Sequence, residues 1–387
     1  MAALEELLAS RISVLIGSAG TGKTTLLRVF CDEPSVDGGN VLLLAPTGKA
    51  RVRLGTALGR DAKAIAQFLL PSGRYVPETG QYRLSEAAPE DGYRTVIIDE
   101  SSMLTEEQLA AVIDGVKGVA RFVLVGDPRQ LPPIGAGRPF VDIVNRVRPD
   151  GLDATFPRRA PSCAELTVPR RPTRIEGIET NQAQRRGDLM LAEWFSGREP
   201  SPASDVIWDR LATGSVDGTL TVLRWDGPDD LRTRLLDVLQ RELQLASADD
   251  TLGFELACGG SEFEGRAYFW RSKNGEPGAA SKIENWQILA PVRGHAHGVR
   301  NLNRFLQRQF RSDTLDWAKS RYRKIPKPLG GEGILWGDKV ISVVNESWRS
   351  VFPKENALRY IANGDIGVVV GQYKTKGLKG APWKGEG

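Results

Sequence analysis

The stretch GSAGTGKTT, Gly17 to Thr25, constrains this chain more than any other part of it. It follows the apolar run Ser13-Val14-Leu15-Ile16, so the order is that of a strand feeding a glycine loop and then a helix. The spacing Gly17-x4-Gly22-Lys23-Thr24 makes a complete phosphate loop. Its glycines let backbone N–H groups approach phosphate oxygens, Lys23 reaches the β and γ phosphates, and the Thr24 hydroxyl ligates Mg²⁺. The candidate nucleotide-binding residues are thus Gly17, Ser18, Ala19, Gly20, Thr21, Gly22, Lys23, Thr24 and Thr25.

A phosphate loop of this kind sits at the edge of a parallel sheet, and the next 120 or so residues read accordingly. Four short apolar runs alternate with helical stretches: SVLIG (13 to 17), NVLLLAP (40 to 46), TVIIDE (95 to 100) and RFVLVGD (121 to 127). They are apolar throughout rather than alternating, as expected of strands buried on both faces, which predicts an α/β domain. Each run ends in Gly, Pro or an acid at its C-terminal edge, the edge at which open α/β sheets bind ligands.

Two of those ends carry further chemistry. In TVIIDESSM, Asp99 is placed to hold Mg²⁺ and joins Thr24 as a candidate metal residue, while Glu100 is placed to orient and deprotonate an attacking water. Adjacent acids after an apolar strand point to hydrolysis rather than to nucleotide binding alone. In GDPRQLPPIGAG, Gly126 to Gly137, Gln130 is placed to sense the γ-phosphate, and the Pro-Pro turn suits a rigid connector that carries that state outward.

The ordered set GSAGTGKTT, APTGKA (Ala45 to Ala50), DESSM (Asp99 to Met103) and GDPRQLPPIGAG resembles motifs I, Ia, II and III of superfamily-1 helicases, most closely the RecD-like branch. ILAPVRGHAHGVRNLN (288 to 303), GDKVISVVNE (337 to 346) and NGDIGVV (363 to 369) resemble the second RecA-like domain of that branch and the start of its small barrel. The likeness covers about two thirds of the chain and leaves 195 to 280 poorly matched. It implies an α/β fold of tandem RecA-like P-loop domains with parallel sheets, a small hairpin insertion and the start of a β-barrel insertion. The implied division is 1–160 for the first RecA-like domain with the hairpin at about 71–92, then 161–194 as linker and start of the second. An insertion of unclear fold follows at 195–280, the second RecA-like core at 281–345 and the barrel start at 346–387.

The resemblance also implies roles. ATP and Mg²⁺ are the implied cofactors, single-stranded DNA the implied partner, and movement 5′ to 3′ along DNA the implied activity. Pro46, Thr47 and Lys49 of APTGKA would meet the DNA backbone. LTVPRR (166 to 171) resembles the family's L-T-x-x-x-R, which would set Arg171 against the γ-phosphate from across the domain cleft, with Arg170 the alternative; the run is also readable as a basic linker. Ala64-Ile65-Ala66 stands where the family usually carries Thr-Ile-His. The glutamine that precedes the phosphate loop in the family and reads adenine has no counterpart here, and motifs of the V and VI type are not found before Gly387. The expectation is a piece of a longer protein, whose partners would include the rest of its own chain or a larger DNA-processing complex.

The remaining features leave alternatives open. Arg74-Tyr75-Val76 and Gln81-Tyr82-Arg83-Leu84 flank a Glu-Thr-Gly turn and predict a hairpin, in which Tyr75 or Tyr82 either stacks on a base or belongs to a plain surface hairpin. All nine tryptophans fall at or after Trp194, so the two halves serve different tasks. WAKSRYRKIPKP (317 to 328) interleaves aromatic and basic residues, as nucleic-acid contacts or as a solvated loop. Arg293 and Arg300 in PVRGHAHGVRN are candidate phosphate contacts, and residues 225 to 250 contain an amphipathic helix for packing or for a partner.

Composition excludes several classes. With 41% hydrophobic and 26% charged residues the chain is globular, with length for two or three domains. No stretch reaches the roughly 18 apolar residues of a membrane span, and MAALEELLAS lacks the basic flank of a signal peptide, so a bacterial-type cytoplasm is the expectation. Three scattered cysteines and His295 and His297 assemble neither a disulfide framework nor a zinc cluster. Two functions compete: an ATP-driven DNA translocase or helicase, and a nucleotide-gated DNA-binding or assembly module that hydrolyses poorly.

Overall fold

The computed structural model describes residues 1–18, 20–168, 187–195, 204–214, 220–272, 278–321, 325–344, 346–347, 360–361 and 363–370. The chain divides into two compact units: Met1–Thr221 with Val343–Arg349 and Arg359–Asp365, and Val222–Ser342 with Ser350–Leu358 and Ile366–Gly387.

Strands of the first unit are β1 (Ile12–Gly17), β2 (Val41–Ala45), β3 (Ala62–Ala64), β4 (Tyr75–Val76), β5 (Gln81–Tyr82), β6 (Thr95–Ile98), β7 (Arg121–Gly126), β8 (Arg158–Ala160) and β9 (Cys163–Leu166). Its helices are α1 (Ala2–Ala9), α2 (Lys23–Asp32), α3 (Pro34–Asp37), α4 (Gly48–Leu58), α5 (Ile65–Leu69), α6 (Glu106–Asp114), α7 (Pro139–Val147), α8 (Gly187–Trp194) and α9 (Val206–Thr213). Seven strands form one sheet in the order β3-β2-β6-β7-β1-β9-β8, parallel throughout except for the antiparallel edge strand β8. All four apolar runs expected to be strands are strands of this sheet.

Burial on both faces explains those runs. Val14, Ile16, Leu42, Leu44, Val96, Ile98 and Leu124 pack on one face with Leu109 and Val112 of α6 and Phe140 of α7. Leu15, Leu43, Ile97 and Val123 pack on the other with Leu27 and Phe30 of α2 and Leu54 of α4. Successive residues of a strand point to opposite faces, so a strand covered by helices on both sides is apolar at every position. Each such Leu, Ile or Val contributes about 1.5–3 kcal/mol by its burial.

The sheet reaches further along the chain than the expected boundary at 160. Arg158–Ala160 and Cys163–Leu166 form its last two strands, with Val14 paired to Cys163 and Ile16 to Glu165. The acid in Cys-Ala-Glu-Leu hides this strand from an apolar-run reading. Glu165 is nevertheless buried, held by Arg148 at 3.1 Å and Arg158 at 3.2 Å.

The expected hairpin is the pair β4–β5, with Tyr75 opposite Tyr82 and their rings 4.9 Å apart. The tyrosines do not present themselves for base stacking. Tyr75 is buried and Tyr82 packs beside it against the core, where burial pushes the Tyr82 hydroxyl up to about 12. Pairing across a four-residue turn buries both rings between the hairpin and α6.

The second unit contains α10 (Pro228–Glu242), α11 (Thr251–Ala257) and α12 (Val299–Lys319), with β10 (Ser261–Phe263) and β11 (Arg266–Tyr268) as a hairpin and β12 (Lys339–Ile341) antiparallel to β15 (Ile366–Val368). The pair β13 (Glu346–Ser347) and β14 (Tyr360–Ile361) belongs to the first unit. Leu239 of α10, Phe254 of α11 and Phe310 of α12 share a core, the two phenyl rings stacked at 4.2 Å, so the amphipathic helix expected within 225 to 250 packs inward. Arg311 is buried beneath them, donating to Glu255 at 2.5 Å and to the Trp336 carbonyl. Over 281–345 the described elements are the end of a 3-10 helix (Ala279–Lys282), α12 and β12, and the strand pairs of this unit are antiparallel; a second parallel sheet is not among the described residues. Of WAKSRYRKIPKP, residues 322–324 lie outside the described residues. Among the described residues no helix is long and apolar enough to cross a membrane.

Candidate functional site

Register brings the motif ends together. Ile16 pairs with Gly126 and Ile98 with Leu124, so β1, β7 and β6 finish side by side and deliver the glycine loop, Gly126–Asp127 and Asp99–Glu100 to one edge of the sheet. β7 lies between the other two, which places the third motif between the first and the second.

At the glycine loop, Gly22 caps α2 with φ +92°, a left-handed conformation that a side chain would strain. Lys23, the first residue of the helix, folds back so that its Nζ donates to the carbonyls of Gly17 at 2.6 Å and Ser18 at 3.2 Å. Thr21 Oγ1 donates to Ser18 O at 2.8 Å. Thr24 and Thr25 follow on the first turn of α2, whose first N–H groups and positive dipole end face the loop. Ala19 lies outside the described residues.

Asp99 and Glu100 leave β6 in a tight turn. The Asp99 amide donates to Leu44 O at 2.9 Å, and the Glu100 amide donates to Asp99 Oδ1 at 2.9 Å. Glu100 stands at φ +52°, a sparsely populated conformation for a residue with a side chain. Burial and the neighbouring Glu100 charge raise the Asp99 carboxyl to about 6, against the opposing pull of Lys23 and Arg53. Two crowded carboxylates beside a lysine suit a divalent cation, which would relieve the repulsion that raises Asp99. Thr24 and Asp99 are the residues that would hold Mg²⁺, and the ion would neutralise phosphate charge there.

This carries a stability consequence. The folded-state carboxyl titrates above its ordinary value of 3.8, so the fold prefers the protonated acid. Stability is lost as pH rises from about 4 and the loss is complete above about 6, amounting to at most about 3 kcal/mol. In chelator, Asp99→Asn raises the melting temperature at pH 8 and leaves it nearly unchanged at pH 4; an equal shift at both values refutes the cause given.

The third motif adds residues that motif reading passed over. Asp127 is buried, with Oδ1 accepting from the Arg129 amide at 3.2 Å and Arg129 Nε at 3.0 Å, and its carbonyl accepts from the Gln130 amide at 3.1 Å. The turn holds the Gln130 backbone on the site edge with the side chain exposed. An acid directly after an apolar strand is the same signal as Asp99 and identifies Asp127. Arg53 carries no such signal, because only the fold of α4 brings its charge to Asp99.

At the start of α4, Thr47 is the N-cap, its Oγ1 accepting from the Ala50 amide at 3.2 Å, with Pro46 before it and Lys49 half-buried in the first turn. These three share the edge with the nucleotide loop. Arg293 and Arg300 belong to the second unit, where Arg300 Nε lies 3.6 Å from Glu332 Oε1. Arg170 and Arg171 lie outside the described residues.

Residues 1–173 match the family model described as "AAA domain". Over 138 residues the chain is 38% identical to the ATP-dependent RecD2 DNA helicase of Deinococcus radiodurans, covering 36% of this chain and 18% of that protein. Over 172 residues it is 34% identical to the RecBCD enzyme subunit RecD of Mycobacterium tuberculosis, covering 39% of this chain and 30% of that protein. The chain therefore spans less than a third of the length of these relatives. A crystal structure of Bacteroides sp Pif1 with ADP-AlF4 aligns over 61% of this chain and 55% of that one at 20% identity, with a TM-score of 0.35. The N-terminal part, residues 1–173, which brings four ordered motifs to one sheet edge, is thus similar to the AAA domain family and to RecD-type helicase proteins.

Proposed function

We propose that this chain carries the ATP-hydrolysing core of a DNA helicase that translocates on single-stranded DNA. The observation that carries the reading is the shared edge of the sheet, where the glycine loop, Asp99–Glu100, Asp127–Gln130 and Thr47 all emerge. Lys23 and the loop amides bind and orient the phosphates, Thr24 and Asp99 hold the Mg²⁺ that neutralises them, and Glu100 takes the proton of the attacking water. Gln130 reports the γ-phosphate, and Pro46, Thr47 and Lys49 hold the DNA backbone, one step from the same edge. Arg171, Arg293 and Arg300 are proposed to complete the γ-phosphate and DNA contacts. One of the relatives named above is an ATP-dependent DNA helicase, which supports this reading over a gated binding module. Three free thiols, Cys31, Cys163 and Cys258, support a cytoplasmic setting.

The test is fluorescence anisotropy of labelled oligo-dT across a salt series, with and without a non-hydrolysable ATP analogue. Nucleotide and DNA change each other's affinity by one common factor of about 5 to 150, because coupling free energy is reciprocal. Affinity falls steeply with salt as phosphate contacts release counterions. Gln130→Ala leaves each ligand's own binding nearly intact and flattens the nucleotide effect. Absence of single-strand binding at low salt sinks the translocase reading.

A further inference from the structure

The hairpin β10–β11 turns through Glu264-Gly265, which stand at φ +49° and +73°. Two successive left-handed residues make the turn that matches the twist of paired strands, and the ladder it closes sets Ser261 opposite Tyr268, Glu262 opposite Ala267 and Phe263 opposite Arg266. Residues paired across a ladder share a face, and neighbours along a strand alternate. Phe263, Arg266 and Tyr268 therefore lie on one face, and Glu262 and Ala267 on the other. Trp270 joins the first face, its ring stacked on Tyr268 with centroids 5.7 Å apart and planes within 10°. Phe263 meets the same Tyr268 edge to face at 6.1 Å.

The fold covers one face and leaves the other open. Ala267 and Phe269 are buried with Ala279. The Phe269 ring is held edge to face by Trp336 at 5.3 Å and lies under the Arg311 guanidinium at 5.5 Å. Gly337 approaches so closely that a Cβ there would overlap the ring. Just beyond the strand, the Ala279 amide donates to Trp270 O at 2.8 Å. On the outer face, by contrast, Phe263 and Trp270 are each 61% exposed. A hairpin packed on one side ordinarily carries polar side chains on its wet side. This one holds three aromatic rings there, on a fixed base, with the exposed Arg266 among them.

The chemistry of this face selects its occupant. Between 261 and 271 there is no Leu, Ile, Val or Met, and the two acids stand on the opposite face and in the turn. What remains is flat π-surface beside a guanidinium, with a second exposed arginine, Arg271, directly after Trp270. A polyanion that carries flat unsaturated rings complements both features, as in sites where successive bases stack on aromatic side chains along a basic track. We propose that the outer face of β10–β11 is a base-stacking platform for single-stranded DNA, with Trp270 and Phe263 each taking a base and Arg266 a phosphate beside them. This is a second contact, in the other unit from Pro46, Thr47 and Lys49 and independent of the nucleotide loop. The choice of DNA as the strand rests on the translocase reading.

The experiment photocrosslinks the whole chain to oligo-dT in which iodouracil replaces some of the thymines, and maps the adducts by tryptic digestion and mass spectrometry. Beside it, anisotropy of labelled oligo-dT is measured with and without a non-hydrolysable ATP analogue. Adducts form on Phe263 and on the peptide Ala267–Arg271. Trp270→Ala and Phe263→Ala each weaken binding by about 5- to 150-fold, the factor of one lost base stack, and by the same factor whether or not nucleotide is present. Trp270→Phe recovers most of the affinity, because stacking needs a ring and no particular hydrogen bond. Both side chains are mostly exposed, so melting temperatures stay close to the parent's; if Trp270→Ala does not fold, the adducts of the unmutated chain decide the matter. Parental affinity in both alanine variants overturns the proposal and leaves the translocase reading standing. Adducts that form only elsewhere do the same. A proline-rich decapeptide that binds the parent chain and is lost in Trp270→Ala, with oligo-dT affinity unchanged, gives the face to a protein partner and overturns the proposal. No binding of oligo-dT by the unmutated chain at low salt overturns both readings.

Discussion

Lys23→Ala abolishes ATP hydrolysis, lowering turnover to below about 1% of the parent's, the scale of losing one preorganised electrostatic group in a phosphoryl-transfer site. Lys23 Nζ is within hydrogen-bond distance of Gly17 O and Ser18 O, so its charge sits in the mouth of the loop rather than out in solvent. The neighbouring N–H groups at the start of α2 attract phosphate by dipole and hydrogen bond, and Lys23 adds a full positive charge within the loop itself. Alanine is also the strongest helix former, so the first residue of α2 keeps its helical propensity, and a melt separates the loss of the two loop hydrogen bonds from the loss of turnover. A steady-state ATPase assay beside a thermal melt checks this. Parental turnover in the variant removes the phosphate-loop reading altogether.

Glu100→Gln separates chemistry from binding. Hydrolysis slows by roughly 10²-fold or more, as for removal of a general base, while ATP and Mg²⁺ still bind. Glutamine has the same length and branching as glutamate, so the strained turn at φ +52° is kept. The charge lost is one that raises the Asp99 carboxyl, so Asp99 is ionised over a wider pH range in the variant and Mg²⁺ binding holds or tightens. Single-turnover kinetics with calorimetric titration of Mg²⁺–ATP gives both quantities. Loss of binding together with turnover would make Glu100 a structural residue of the turn and move the base elsewhere on the edge.

Much of this site is legible in the chain because its chemistry is local. Glycine spacing, the Lys-Thr pair and the acid after an apolar strand specify loop, helix start and carboxylate within a dozen residues, and the same holds for the N-cap at Thr47 and the capping box Thr105-x-x-Gln108. The continuous apolar runs imply strands covered on both faces. None of these features depends on where distant segments lie.

The structure alone decided which strands are neighbours, and with that the placement of β7 between β1 and β6 and the addition of Cys163–Leu166 beside the glycine-loop strand. It decided that Tyr82 packs beside Tyr75 against the core rather than standing in solvent, and that Arg74 is a buried joint rather than one more basic residue of a surface turn. It also raised Asp99 through burial and the charges around it. Each of these depends on groups tens of residues apart brought into one low-dielectric interior. The strength and the sign of such interactions are set by the packing around them, and a residue's neighbours in the chain do not contain that information.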